Sequence, residues 1–138
     1  MSIVVDKTGL PIGAQVITAN RNDLYACKQV IKEIPKGKEL TADRGYDALW
    51  FRKYLQERGF VPNIARRSFA RYRSGEAVIP GQPPPNPLTY RGRWVVERTF
   101  AWLGHFRRLE TRYERKAKIY EALWHLACSL LLLRKLTG

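Results

Sequence analysis

The chain has 138 residues, 45% of them apolar, and carries 25 Lys and Arg against 12 Asp and Glu, a formal charge of +13. That length and apolar content fit one globular domain with its own core and exclude a disordered chain. The cationic excess asks for a polyanionic partner, most simply nucleic acid, with an RNA or an anionic membrane surface also permitted by charge alone.

In chain order, Ser2–Val5 and Ala14–Thr18 read as two strands joined by a Gly/Pro turn, hence antiparallel. Asp6-Lys7-Thr8-Gly9 places Asp first and Gly fourth, a turn signature. Asp23–Ile34 has the apolar period of an amphipathic helix and stops at Pro35. Cys27 lies within it as a small core residue; with Cys128 far away and no CxxC spacing, neither a zinc site nor a disulfide is expected. Glu39–Ala42 is a strand, Arg44-Gly45 a turn, and Ala48–Arg58 a helix that Gly59 ends, with Asp47 as the expected N-cap. Phe60–Ile64 is a further strand.

From Arg66 to Thr89 the chain reads as a linker, with Gly75, Gly81 and five prolines between Pro80 and Pro87. That density of proline rules out a core element. Such a loop is either a DNA-contacting arm or an inert spacer. Its flank is basic: Arg58, Arg66, Arg67, Arg71 and Arg73 occur with no acid among them. Residues 90–138 then read as C-terminal helices. From Thr89 onward there are 11 basic and 4 acidic residues, among them Arg98, Arg107 and Arg108 as candidate DNA contacts. The apolar run Leu123–Leu133 is shorter than the about 20 residues needed to span a bilayer. It reads as a buried helix with cations in its last turn, where they favour the helix dipole. His105 and His125 have no ligand spacing; the first reads as solvated, the second as packed or at an edge. No signal peptide is visible.

Two carboxylates stand out. Asp43 closes a strand just before a glycine turn, where open α/β sheets place ligands; a turn-forming Asp that bonds nearby backbone is the equal alternative. Glu97 follows Tyr90 and Arg93 at spacings of three and seven residues. On one continuous helix this puts all three on one side, with Val95, Val96, Thr99, Trp102, Leu103 and Phe106 on the other. A surface Glu97 paired with Arg93 is the plain reading, worth a few tenths of a kcal/mol.

Thr41-Ala42-Asp43-Arg44-Gly45-Tyr46-Asp47, followed by Tyr90-x-x-Arg93-x-x-x-Glu97-Arg98-Thr99-Phe100-Ala101-Trp102-Leu103, resembles the catalytic core of DDE transposases of bacterial insertion sequences. The opening Ile3–Pro11, the segment Thr18–Asp23 and the tail Phe106–Tyr113 resemble that family as well, so the likeness covers nearly the whole chain and is weakest over residues 66–88. The resemblance implies an α/β, RNase H-like fold, with a mixed sheet flanked by helices. It implies Asp43 and Glu97 as the second and third acidic residues of a catalytic triad and as metal ligands, with Tyr90 and Arg93 supporting. The cofactor would be Mg²⁺ or Mn²⁺, which suits hard oxygen donors. The reaction would be DNA strand cleavage followed by strand transfer, in the bacterial cytoplasm and at the nucleoid. The partners would be transposon-end and target DNA, together with a second copy or a transposase part encoded in an upstream frame; no membrane is involved. Where many relatives have a Lys or Arg seven residues after the glutamate, this chain has Gly104.

The family's first catalytic Asp lies on a strand upstream of the segment matched by Met1–Asp6. The chain is therefore expected to lack that strand, which is central in an RNase H-like sheet, and to leave two strand edges open. Asp6, at a strand end, is the substitute to weigh against its turn role. Two carboxylates bind a metal pair weakly, so little cleavage is expected of this polypeptide alone. A DNA-binding regulator without catalysis, an inactive remnant of a transposase and an RNA-binding protein are the other readings compatible with the charge.

Overall fold

The computed structural model describes residues 1–17, 23–37, 39–66 and 85–137. It divides into two compact units, Met1–Ile34 with Trp94–Gly138, and Pro35–Arg93.

In the first unit, β1 (Ser2–Val5) pairs antiparallel with β2 (Pro11–Gln15), with Ser2 opposite Gln15 and an irregularity between Val4 and Val5. The second strand starts at Pro11 rather than Ala14 because the turn closes tightly. Asp6 Oδ1 accepts from the Thr8 N–H (2.8 Å), the Thr8 hydroxyl (2.7 Å) and the Leu10 N–H (2.9 Å), and the Gly9 N–H donates to the Asp6 carbonyl. Burial pushes the Asp6 carboxyl up, but these bonds outweigh it and hold it below its ordinary value of 3.8. The stability its ionised form adds is present above that value and is lost as pH falls through the lowered one. Asp6 thus organises a turn.

Gly9 sits at φ +92°, where a side chain is strained. A Cβ there would also lie 3.0–3.1 Å from Arg98 Nη2, Thr99 Oγ1 and Val95 Cγ1. Gly9→Ala is expected to lower stability by about 1–3 kcal/mol, read as a fall in the urea midpoint at constant slope; an unchanged midpoint would contradict this packing.

The helix α1 (Asp23–Glu33) buries Leu24, Cys27, Val30 and Ile31 on one stripe against β1 and β2. Two helices follow from the C-terminal part, α4 (Trp94–Gly104) and the short α5 (Arg107–Glu110). The last, α6 (Ala117–Thr137), is longer than its apolar run suggests. Their core is Leu103, Leu109, Trp124, Ala127 and Cys128, with Met1, Ile3, Ala14 and Phe106 packed on it. Both cysteines are buried and free, as their contexts imply; burial pushes the Cys27 thiol up to about 12. His125 is exposed rather than packed.

In the second unit, β3 (Glu39–Ala42) and β4 (Val61–Ile64) pair in parallel, Ala42 opposite Ile64, joined through α2 (Leu49–Glu57). Phe51, Leu55 and Ile64 are fully buried. Gly59, at φ +81°, ends α2 as expected. The helix α3 (Pro87–Arg91) starts inside the expected linker: Asn86 caps it by accepting from the Leu88 N–H at 3.1 Å, and Pro87 suits a first turn that needs no N–H donor.

The architecture is α/β, but one mixed sheet is not what the described residues form. They form two separate two-stranded sheets, one per unit. Among the described residues no further strand extends either pair.

Candidate active site and nucleic-acid interface

Asp43 follows the last residue of β3, so it lies at the carboxyl edge of the parallel pair. Its Oδ1 accepts from the Gly45 N–H at 2.6 Å and caps the short 3-10 turn Arg44–Tyr46. A side chain on Gly45 would meet that oxygen at 2.7 Å, which is why a glycine stands there. The turn reading of Asp43 therefore holds, yet the residue is exposed and no bond to Oδ2 is formed among the described residues. One carboxylate oxygen shapes the turn while the other faces solvent.

Behind it lies a brace that the sequence did not reveal. Asp47 does not cap α2; Ala48 occupies that position without a side-chain bond. Asp47 Oδ1 instead accepts from Arg52 Nε (2.8 Å) and Nη2 (2.7 Å). Arg52, only 5% exposed, also donates from Nη2 to the Ile64 carbonyl at 2.8 Å. The guanidinium thus ties the segment after Asp43 to the end of β4. Opposite charge within reach of a buried Arg outweighs a single cap bond. Asn63, 1% exposed, is a second such tie. Its Nδ2 lies 2.9 Å from Glu39 Oε1, 3.0 Å from Thr41 Oγ1 and 2.8 Å from Thr89 Oγ1. Its Oδ1 accepts from the Asn86 N–H. This amide fastens α3 onto β3 and β4. Its sequence signal, a polar residue amid a buried strand, is too weak to find without its partners.

Tyr90 belongs to α3, and Gly92-Arg93 form a turn before α4 begins at Trp94. The one-face argument for Tyr90, Arg93 and Glu97 needs a continuous helix and fails here: Gly92 lowers helix propensity at that point and caps α3. Arg93 instead lies over the Tyr90 ring, its Cζ 4.9 Å from the centroid, a cation–π contact that fixes the guanidinium. Glu97 is exposed in the first turn of α4, and within its own unit it has no hydrogen-bond or ion-pair partner among the described residues. Thr99 and Leu103 bury the other side of α4. Thr99 Oγ1 donates to the Gly9 carbonyl at 2.6 Å, with the Val95 carbonyl at 3.0 Å.

Of the candidate DNA contacts, Arg66 is exposed, as are Arg107 and Arg108. Arg108 stands 3.7 Å from Glu114. Arg98 is half-buried. Its Cζ lies 4.7 Å from the ring centroids of both Trp94 and Trp102, and it donates to the Thr8 carbonyl. Arg67, Arg71 and Arg73 lie outside the described residues, as does Thr18, where the second strand was expected to end. Asp43 and Glu97 are oxygen donors of the kind that hold a hard dication. Their number falls short: among the described residues no three His, Cys, Asp or Glu side chains converge. No helix is long and apolar enough to cross a membrane among these residues.

Comparison with known proteins gives the chain a family. The family described as Transposase DDE domain matches residues 1–132, and the chain belongs to it. A Burkholderia cepacia protein named as a transposase for insertion sequence element IS402 is 38% identical to it over 140 residues. That match takes in 94% of this chain, which spans about 60% of the length of the relative. No solved structure matches.

Proposed function

We propose that the chain works in an insertion-sequence transposase that cuts DNA and joins the cut end to a target, with Asp43 and Glu97 as two of its acidic catalytic residues. The observation that carries this reading is the place of Asp43, solvent-facing at the carboxyl edge of a parallel strand pair, in a chain that belongs to the DDE family. The RNase H-like arrangement is part of the proposal: such a fold needs both an antiparallel and a parallel strand pair, and β1–β2 and β3–β4 are one of each.

A divalent metal pair, when bound, would activate the attacking oxygen and stabilise the leaving one. Asp43 and Glu97 would hold part of it; a metal pair asks for more ligands than these two carboxylates offer. What the chain's own residues do is position. The Arg52–Asp47 brace and the Asn63 amide keep the β3–β4 edge and α3 rigid. Arg93, held on Tyr90, presents a cation suited to a phosphate oxygen. The exposed arginines hold the DNA backbone, and the substrates are transposon ends and target. The test is transposition of the insertion sequence carrying Asp43→Asn or Glu97→Gln; frequencies unchanged in both would discard the catalytic reading.

A DNA-binding role without cleavage is the second reading; it needs the exposed Arg66, Arg107 and Arg108 but neither Asp43 nor Glu97. Both readings require salt-sensitive DNA binding. Affinity of the purified chain for duplex DNA is expected to fall at least about 10²-fold between 50 and 200 mM salt. Arg66→Gln should lower the log–log salt slope by about one. A slope near zero in gel-shift titrations would remove DNA as the partner, and a strong preference for RNA would favour the third function compatible with the charge.

A further inference from the structure

The face of α6 turned away from the core carries its own apolar stripe. Ile119, Leu123, Leu126, Leu130 and Leu133 follow one another at spacings of four, three, four and three residues. That is the period of a seam that receives another helix. Its centre lies about 110° around the helix from Tyr120, Trp124, Ala127 and Leu131, which face the core, and Leu123 at the boundary packs on that core as well. Ile119, Leu126 and Leu133 are each more than half exposed, although core burial is what an isolated leucine of a folded helix normally gains. Beside the seam runs a groove of about 280 Å³. One wall is Phe106, Arg107, Arg108 and Leu109; the other is Leu123, Leu126, Ala127 and Leu130.

We propose that this groove docks an amphipathic helix of a partner protein, with leucine-type side chains on its inner stripe and carboxylates on its flanks. The seam fixes the partner's shape, because side chains at alternating four- and three-residue spacing interlock with a helix. The rim fixes its charge. From His105 to Thr137 the chain has eight Lys and Arg and three Glu. Two of the three are engaged, Glu114 beside Arg108 and Glu121 accepting from the Val16 N–H. Arg107 and Arg108 on the far wall therefore meet carboxylates favourably and cations unfavourably. A second copy of this chain does not fit: its α6 would bring Lys116, Lys118, Arg134 and Lys135 against the same cationic rim. A lipid surface fits less well, since the α5 wall makes the face concave. The inference does not depend on Asp43 or Glu97.

The test is fluorescence anisotropy with the full chain and a labelled synthetic helix about three heptads long, leucines in the seam and Glu on the flanks. The expected result is saturable one-to-one binding, at least about tenfold tighter than for a scrambled peptide of equal composition or a Lys-flanked version. Leu126→Asp, at an exposed site, should weaken it at least about tenfold, and Arg107→Glu should shift preference toward the Lys-flanked helix. Should Leu126→Asp lose helical circular dichroism, Leu133→Asp serves the same purpose. Equal binding of the scrambled peptide, or indifference to Leu126→Asp and Leu133→Asp, would overturn the proposal. So would a dimer in sedimentation that Leu126→Asp dissociates, or Leu126-dependent binding to phosphatidylserine vesicles with no peptide binding.

Discussion

Asp43→Asn and Glu97→Gln are each expected to lower the transposition frequency of the insertion sequence by roughly 10²–10³-fold or more, the scale of losing one group that stabilises a transition state electrostatically. The substitutions are informative because they leave the structure alone. Asn at position 43 still offers an Oδ1 to the Gly45 N–H and so keeps the turn. Gln at position 97 is isosteric on an exposed helix surface whose buried side is carried by Thr99 and Leu103. Unfolding free energies should therefore move by less than about 0.5 kcal/mol. A loss of transposition with unchanged stability and unchanged DNA affinity assigns the carboxylates to chemistry. A loss of DNA affinity in parallel would assign them to binding. Full retention in both variants, with salt-sensitive DNA binding intact, would make the chain a regulator.

The second large effect lies behind the site. Asp47→Ala is expected to destabilise the chain by about 3–5 kcal/mol, because it leaves the Arg52 guanidinium buried with the Ile64 carbonyl as its remaining hydrogen-bond partner among the described residues. Replacing both partners, Asp47→Ala with Arg52→Met, should recover most of that loss, since an apolar side chain of similar length leaves no charge to solvate. A double-mutant cycle in urea measures the coupling. A single-mutant cost below about 1 kcal/mol would show the pair to be solvent-screened like a surface ion pair. Activity adds a second readout. The brace ties the segment after Asp43 to the end of β4, so Asp47→Asn, which keeps an acceptor but loses the charge, should reduce transposition more than it reduces stability.

Several elements were legible because their causes are local. Pro35 and the apolar period place α1, and Gly59 at positive φ ends α2. The Asp6–Gly9 turn follows from an Asp acceptor and a glycine at the positions a turn requires. The paired motifs around Asp43 and Glu97 led to the family, and the match over residues 1–132 agrees with them. Where the readings differed, distant partners decided. Asp47 has the residue type of a cap, but Arg52 and the Ile64 carbonyl reach it across the fold. Tyr90, Arg93 and Glu97 have helical spacing, but Gly92 ends α3 among them.

The sequence by itself determined the cationic character, the short strands and helices with local stop signals, the family, and the two acidic residues within its motifs. Those depend on side-chain type and on neighbours a few positions away. Only the tertiary structure decided the register of each strand pair, that Arg52 and Asn63 hold the edge beside Asp43, and that among the described residues a leucine stripe of α6 is left exposed. Burial and hydrogen-bond partners come from residues far apart in the chain, and an apolar residue carries the same letter whether it faces the core or the solvent.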